Sequence, residues 1–107
     1  MSKIYNLKGI IPSNKQGKKL MAIFIDKKTN KQKITHFGSS SNKDYTIYSK
    51  TDKDKAEKMK SAYIARHKVN ENWNNPISAG SLARYILWNK PTIRESIKDY
   101  KKRFNLK

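Results

Sequence analysis

The sequence predicts an α+β fold in which a short N-terminal antiparallel sheet is packed by about three C-terminal helices. Three observations lead to this prediction. Residues 1–50 hold short apolar runs separated by turns rich in Gly, Asn and Lys, which is typical of strands. Residues 52–68 contain no Gly or Pro, which favours a helix. A length of 107 residues is that of one domain, so we expect 1–107 to form a single small basic domain, with strands and loops over 1–50 and helices over 51–107.

The predicted sheet consists of short runs in the first half of the chain. Lys3–Ile11 mixes apolar and polar residues and stops at Pro12, which cannot donate to a strand ladder. Leu20–Ile25 is apolar on both faces and too short for a typical helix, so we expect a covered strand. Lys33–Phe37 can return as its antiparallel partner. Tyr45–Tyr48 is a further short run, and the sheet is therefore expected to extend from Lys3 to Tyr48.

Two helices are predicted before the last segment of the chain. Asp52–Lys68 is expected to be the first, with Thr51 and Asp54 as a weak capping arrangement. Ser78–Asn89 is expected to be the second, because small and apolar residues recur along one side of it while Trp88 falls nearly opposite. A helix that is apolar on two sides must be covered on two sides, so we place this helix at the centre of the fold.

The third predicted helix has the clearest pattern. Thr92 and Glu95 have the spacing of a capping box, in which each side chain satisfies a free backbone amide at the helix start. Apolar residues then recur at spacings of four, three and four and form one seam: Ile93, Ile97, Tyr100 and Phe104. A cationic stripe runs beside this seam: Arg94, Lys98 and Lys101. The helices are expected to end by Leu106.

Composition restricts the classes of function. The 25 Lys and Arg against 8 Asp and Glu give a net charge of +17, which favours polyanionic partners. The chain has no Cys, so disulfides and thiolate metal sites are excluded. The longest apolar run has six residues, whereas a membrane span needs about 20. The start of the chain lacks the apolar stretch of a secretion signal, so we expect a soluble, intracellular protein.

Nucleic acid is the partner class that this charge favours, with an acidic protein or an anionic membrane surface as alternatives. The cations expected to contact phosphates are Lys18, Lys19, Arg66, Lys68, Arg84, Arg94, Lys98 and Lys101. Solvated helix faces are the other explanation for such residues. Arg84 lies one helical turn before Trp88, and a packed cation–π pair is favoured there over base stacking. Trp73 is expected to fix its Asn-rich loop to the core rather than to stack on a base.

Catalysis has little support in the sequence. His67 and Glu71 are spaced to share a helix face, and with Arg66 they could serve a metal-dependent nuclease. Neither histidine fits a metal-ligand motif, and His67 lies on the apolar side of its helix, where a packed core histidine is the expected role. We therefore expect no catalytic residue, metal or cofactor.

Several sequence blocks together resemble a small basic, uncharacterised protein family of nucleocytoplasmic large DNA viruses, the mimivirus and phycodnavirus groups. The resemblance covers roughly residues 20–104. The blocks are His36-Phe37-Gly38, Asp44-Tyr45-Thr46, Tyr63 with Arg66-His67, Glu71-Asn72-Trp73 with Pro76, Ala79-Gly80, Leu87-Trp88-Asn89-Lys90-Pro91, Ser96-Ile97-Lys98-Asp99 and Arg103-Phe104.

The resemblance implies a viral source and carries over no catalytic residue. By analogy it implies a DNA-binding protein of genome packaging or nucleoid organisation, located in the virion or the cytoplasmic virus factory. Double-stranded DNA, contacted with little sequence specificity, is the expected partner. A structural virion protein that binds an acidic partner and a sequence-specific transcription regulator are the open alternatives, and a nuclease is the least favoured.

Overall fold

The α+β prediction is confirmed. The computed structural model of the chain describes residues 5–106, in which three strands precede four helices. In chain order the elements are β1 (Tyr5–Pro12), β2 (Lys18–Asp26), β3 (Gln32–Ser39), α1 (Tyr45–Tyr48), α2 (Lys53–His67), α3 (Ala79–Leu82) with a π-helical turn at Ala83–Leu87, and α4 (Ile93–Arg103).

The strands form one antiparallel sheet in the order β1-β2-β3. Consecutive strands are joined by tight connections, at which Gly17 and Asn30 have positive φ values of 84° and 59°. Gly adopts such values readily because it has no side chain, and Asn tolerates them better than most other residues do. β2 and β3 extend beyond the predicted runs at both ends, while Lys3 and Ile4 of the first predicted strand lie outside the described residues.

The two faces of the sheet have different surroundings. The inner face places Leu7, Ala22, Phe24 and Phe37 in the buried core. By strand alternation, the outer face carries the aliphatic side chains Ile11, Met21, Ile23, Ile25 and Ile34. These five lie outside the core cluster, and Ile11 and Ile34 are 43% and 41% exposed. The expectation of a covered strand at Leu20–Ile25 is therefore confirmed for the inner face only.

The prediction of a strand at Tyr45–Tyr48 is wrong, because this segment is the helix α1. Asp44 precedes it and is buried, and its carboxylate accepts hydrogen bonds from the backbone amides of Thr46 and Ile47. An aspartate in the N-cap position satisfies amides that a helix start leaves free. This local capping overrides the β preference of the Tyr, Thr and Ile side chains. The helical half of the chain therefore begins at Tyr45 rather than after residue 50.

Helix α2 is confirmed, and its predicted cap is wrong by one residue. The Asp52 carboxylate, rather than the Thr51 hydroxyl, accepts the hydrogen bond from the backbone amide of Lys55. The helix ends at His67, with Lys68 in the C-cap position. It buries Ala56 and Tyr63, and the remaining surface is largely exposed.

The central helix of the fold changes its geometry midway. Ser78 caps α3 by accepting a hydrogen bond from the backbone amide of Ser81. From Ala83 the helix continues as a π-helical turn, closed by a bond from the Trp88 amide to the Ala83 carbonyl at 3.1 Å. The wider turn contributes to the burial of Leu87, whereas regular α-helical spacing would turn this residue away from Leu82. The helix ends at Leu87, two residues before the predicted boundary.

The start of α4 matches the predicted cap in part. The Thr92 hydroxyl accepts from the Glu95 amide at 3.2 Å, and it donates to the Glu95 carboxylate at 2.9 Å. The Glu95 carboxylate therefore bonds to the cap hydroxyl, whereas a full capping box uses the cap amide. Further along α4, Tyr100 is fully buried and its hydroxyl donates to the Pro76 carbonyl. This bond ties the loop before α3 to the last helix.

We expect Tyr100→Phe to lower the free energy of unfolding by about 1–2 kcal/mol, because it leaves the Pro76 carbonyl without its donor in a buried place. Urea unfolding followed by circular dichroism measures the change. Tyr85→Phe is the matched control, since Tyr85 is half-buried against Phe104 and no hydrogen bond of its hydroxyl is found among the described residues. Equal losses in the two variants would contradict the prediction.

Candidate nucleic-acid interface

Most of the lysines and arginines in residues 5–106 form no ion pair within that part of the chain. Among residues 5–106, the ion pairs are Lys19–Asp44 at 2.5 Å, His67–Glu71 at 3.8 Å and Arg103–Asp99 at 3.6 Å. Within this part of the chain, Lys19 and Arg103 are therefore the only lysine and arginine in ion pairs. Most of the remaining cations are exposed to a partner from outside, whereas Lys60 and Arg84 are half-buried and donate to backbone carbonyls.

The stripe Arg94, Lys98 and Lys101 lies along one side of α4 because its residues are four and three positions apart. Arg94 and Lys98 are exposed and Lys101 is half-buried. The neighbouring carboxylate of Asp99 is occupied, since it accepts from the Asn89 amide at 2.7 Å and pairs with Arg103. No ion pair is found for the three stripe residues among the described part of the chain.

A second cationic surface follows the edge strand β3. We call it the strand groove, an open depression of about 600 Å³. Its lining residues include no carboxylate and are Lys15, Lys18, Lys33, Ile34, Thr35, His36, Asn75, Ile77 and Ser78. Two hydrogen bonds hold its walls: the Thr35 hydroxyl donates to the Ile77 carbonyl at 2.8 Å, and the Ser13 hydroxyl lies 2.7 Å from Nδ1 of His36.

A third feature is a deeper cavity of about 410 Å³, which we call the aromatic cleft. It lies where the end of β3, the loop before α1, α2 and the π-helical turn meet. Its lining residues are Lys19, Gly38, Ser39, Asn42, Lys43, Asp44, Tyr48, Met59, Tyr63, Arg66, His67, Ala83, Leu87 and Trp88. Aromatic rings and cations therefore line the same cavity.

Stacked rings form one wall of the aromatic cleft. The rings of Tyr63 and Trp88 are nearly parallel, with centroids 4.7 Å apart and planes 9° apart. His67 also contacts Tyr63, at 4.3 Å and 30°, and Tyr48 approaches Trp88 at 6.5 Å and 43°. Burial raises the pKa of Tyr63 to about 12, so its phenol is neutral at physiological pH.

The acidic residue that lines the aromatic cleft is already neutralised. Asp44 is buried, and one carboxylate oxygen accepts from the hydroxyl and amide of Thr46 and from the amide of Ile47. The other oxygen pairs with Lys19. Lys43 and Arg66 are the other charged residues that line the cavity, and an anionic ligand meets no free carboxylate among its lining residues. The Glu71 carboxylate is not among them but lies 3.8 Å from Nδ1 of His67.

Gly38 shapes the cleft at the end of β3. Its φ of 79° is unfavourable for residues with a side chain. A Cβ at this position would lie 2.6 Å from Cδ1 of Leu87 and 3.2 Å from Cβ of Lys19. The absence of a side chain lets the strand end approach the π-helical turn, and it brings Lys19 beside the cavity.

The structure gives Arg84 a packing role. Its guanidinium is half-buried and donates to the Trp88 carbonyl at 2.7 Å. It lies over the rings of Trp73 and Tyr85, at 5.6 Å and 5.0 Å, so the expected cation–π pair with the Trp88 ring is wrong. Burial lowers the pKa of Arg84. Trp73 is half-buried beneath this guanidinium, which agrees with its expected role of fixing a loop.

His67 does not occupy the core position that the sequence suggests. Its side chain is 38% exposed, stacks on Tyr63 and lies 3.8 Å from Glu71. The two residues do not share a helix face, because the helix ends at His67. Among the described residues, no group of three or more His, Cys, Asp or Glu is placed to hold a metal ion. The nuclease alternative therefore gains no geometric support from this pair.

The predicted phosphate-binding residues fall into separate places. Lys19 and Arg66 meet at the aromatic cleft, Lys18 lines the strand groove, and Arg94, Lys98 and Lys101 form the stripe on α4. Lys68 is exposed at the end of α2. The prediction omitted Lys15, Lys33 and Lys43, which also line the groove or the cleft. Strand alternation alone could have placed Lys33 on the same side as Thr35.

Comparison of the chain with models of protein families, with curated proteins and with solved structures found no match. Within the part of the chain that the structure describes, no helix combines the length and apolarity needed to cross a bilayer.

Four of the sequence blocks quoted above meet at the aromatic cleft, where they contribute Gly38, Asp44, Arg66-His67 and Leu87-Trp88.

We expect Gly38→Ala to lower the free energy of unfolding by at least about 1 kcal/mol more than Gly17→Ala. Both glycines have positive φ, but a Cβ at Gly17 meets no atom within 4 Å, whereas one at Gly38 meets the buried Leu87. The comparison thus separates crowding from backbone strain. Urea unfolding of both variants measures it, and equal losses would show that the close approach to Leu87 is unimportant.

Stability should fall at high pH because of Tyr63. Its pKa is about 12 in the folded protein and about 10 in an unfolded chain, so between these values only the unfolded state loses the proton. The free energy of unfolding then decreases by roughly 1.4 kcal/mol per pH unit from this residue. In Tyr63→Phe, the loss between pH 9 and pH 11 should be smaller by about that amount. Urea titrations at both pH values test this, and the same loss in both proteins would contradict it.

Proposed function

We propose that the protein binds double-stranded DNA through its phosphate backbone, with little sequence specificity. The observation that carries the proposal is that lysines and arginines without an acidic partner line two separate surfaces, the stripe on α4 and the strand groove. The resemblance to proteins of large DNA viruses supports a role in genome packaging or nucleoid organisation, in the virion or the virus factory.

The chemistry of these surfaces suits phosphates better than base edges. Arg94, Lys98 and Lys101 are donors on one exposed helix side, and the groove adds Lys15, Lys18 and Lys33. Positive side chains without fixed partners attract a polyanion by releasing its condensed counterions, which requires charge and spacing but no readout of sequence. Sequence readout in the major groove would require a set of oriented side chains that reach base edges.

The salt dependence of binding tests the proposal and its location. Fluorescence anisotropy with several unrelated duplexes at about 50, 100 and 200 mM salt gives the slope of log affinity against log salt. We expect one steep slope for all duplexes. In the triple variant Arg94→Ala, Lys98→Ala, Lys101→Ala, the slope should become shallower by roughly 0.9 for each phosphate contact that is lost. The triple variant Lys15→Ala, Lys18→Ala, Lys33→Ala should have a similar effect.

The matched control removes the same charge from another place. Lys27, Lys28 and Lys31 are exposed at the turn between β2 and β3 and line neither surface. Their triple alanine variant should lower affinity modestly and keep most of the slope. If all three triple variants change the slope equally, the total charge of the protein determines binding and the location of the charge does not. Weak binding of every duplex at the lowest salt would overturn the proposal and favour the acidic protein partner, whereas a strong preference for one duplex would favour a sequence-specific regulator.

A further inference from the structure

We infer that the aromatic cleft is a binding site for one unpaired nucleotide, with the base against the aromatic wall and the phosphate at Arg66 and Lys43. The inference rests on the proposed binding of nucleic acid. It adds a second kind of site, whose ligand is an unpaired nucleotide rather than the duplex backbone. The protein would then recognise ends, gaps or unpaired positions of a nucleic acid in addition to the duplex backbone.

The size of the cavity favours a single nucleotide. Arg94 and Lys98 of the stripe on α4 are exposed and the strand groove is open, as contacts with a continuous duplex require. The aromatic cleft is less open than the strand groove, and its volume of about 410 Å³ is in the range of sites for small molecules. A base inside a duplex is stacked on both sides, so it must be unpaired or extruded before it can enter such a cavity.

The wall of the cleft provides the surface that a base requires. Trp88 and His67 each stack on Tyr63. These three rings line the cavity together with Tyr48. Aromatic rings bind bases of any sequence because every base has a π face.

The cations of the cleft are placed to hold the phosphate of the same nucleotide. Arg66 is exposed, lines the cavity and belongs to the same helix as Tyr63. Its planar guanidinium can donate two parallel hydrogen bonds to phosphate oxygens. Lys43 also lines the cavity, from the loop before α1. Asp44 does not repel the phosphate strongly, because Lys19 and the start of α1 neutralise its carboxylate.

Three DNA hairpins with the same stem, each closed by a non-nucleotide linker instead of a loop of bases, test the inference. One has a blunt end, one has a single unpaired 3′ nucleotide, and one has the same overhang without its base. At about 150 mM salt, we expect the overhang with a base to bind at least about fivefold more tightly than the abasic overhang. Equal affinities of the two overhangs, with normal binding of the blunt stem, would overturn the inference and leave the proposed function standing. Failure of all three hairpins to bind at low salt would overturn both.

Variants locate the effect in the cleft. Arg66→Ala should reduce the preference for the hairpin with an unpaired nucleotide over the blunt hairpin. The matched control Arg94→Ala should weaken binding of all three hairpins by the same factor. Both side chains are exposed, so neither substitution disturbs the core. A preference that survives Arg66→Ala and also the double variant Lys43→Ala, Arg66→Ala would place the nucleotide elsewhere and overturn the inference.

Fluorescence reports on the aromatic wall directly. The chain has two tryptophans, and Trp73→Phe leaves Trp88 as the single indole. In this variant, the hairpin with an unpaired base should change the Trp88 emission, and the abasic hairpin should change it less. Inorganic phosphate alone is the further control, because a site for phosphate only would respond to it as strongly as to the nucleotide. Trp88 emission that responds equally to all three ligands would overturn the inference.

Discussion

The packing of one helix between the sheet and α4 is the interaction on which the rest of the structure depends. Leu82, Ile86 and Leu87 are buried in the same core as Phe24 and Tyr100, although these residues come from distant parts of the chain. A net charge of +17 opposes compaction, and a domain of this size has only a modest core to offset that repulsion. The central helix therefore joins the sheet to α4, and most of the cations lie at the periphery.

This arrangement divides the surface into two kinds of site. The cations on α4 and along β3 lie on elements whose other sides are packed, so the helix and the sheet hold them in place without acidic partners. The aromatic cleft arises instead at a junction, where Gly38 permits close approach and the π-helical turn presents Trp88 to Tyr63. Exposed charge suits a long polymer, and a concave aromatic junction suits one small unit of it.

The sequence predicts much of the fold because most segments have the periodicity of the structure they adopt. The seam of α4 and the strands β2 and β3 show this directly. Tyr45–Tyr48 is helical because the buried Asp44 caps it, and the other carboxylate oxygen of Asp44 pairs with Lys19 of β2. A contact between such distant positions cannot be seen in the local sequence. The site is harder to predict from residue types alone. Arginine is a common phosphate ligand, but Arg84 is half-buried among aromatic rings. A cleft built at a junction of four segments has no signature in any one of them.

The π-helical turn has a consequence for how this chain can change over evolutionary time. A π-helical turn holds one residue more than the α-helical turn that it replaces. If Ala83–Leu87 formed a regular α-helix without a change in length, everything after it would rotate by about 100° and Trp88 would be carried away from Tyr63. A deletion of one residue inside the turn would restore the regular helix and keep the segments on both sides in register. The tolerated change of length in this segment is therefore confined to the turn itself.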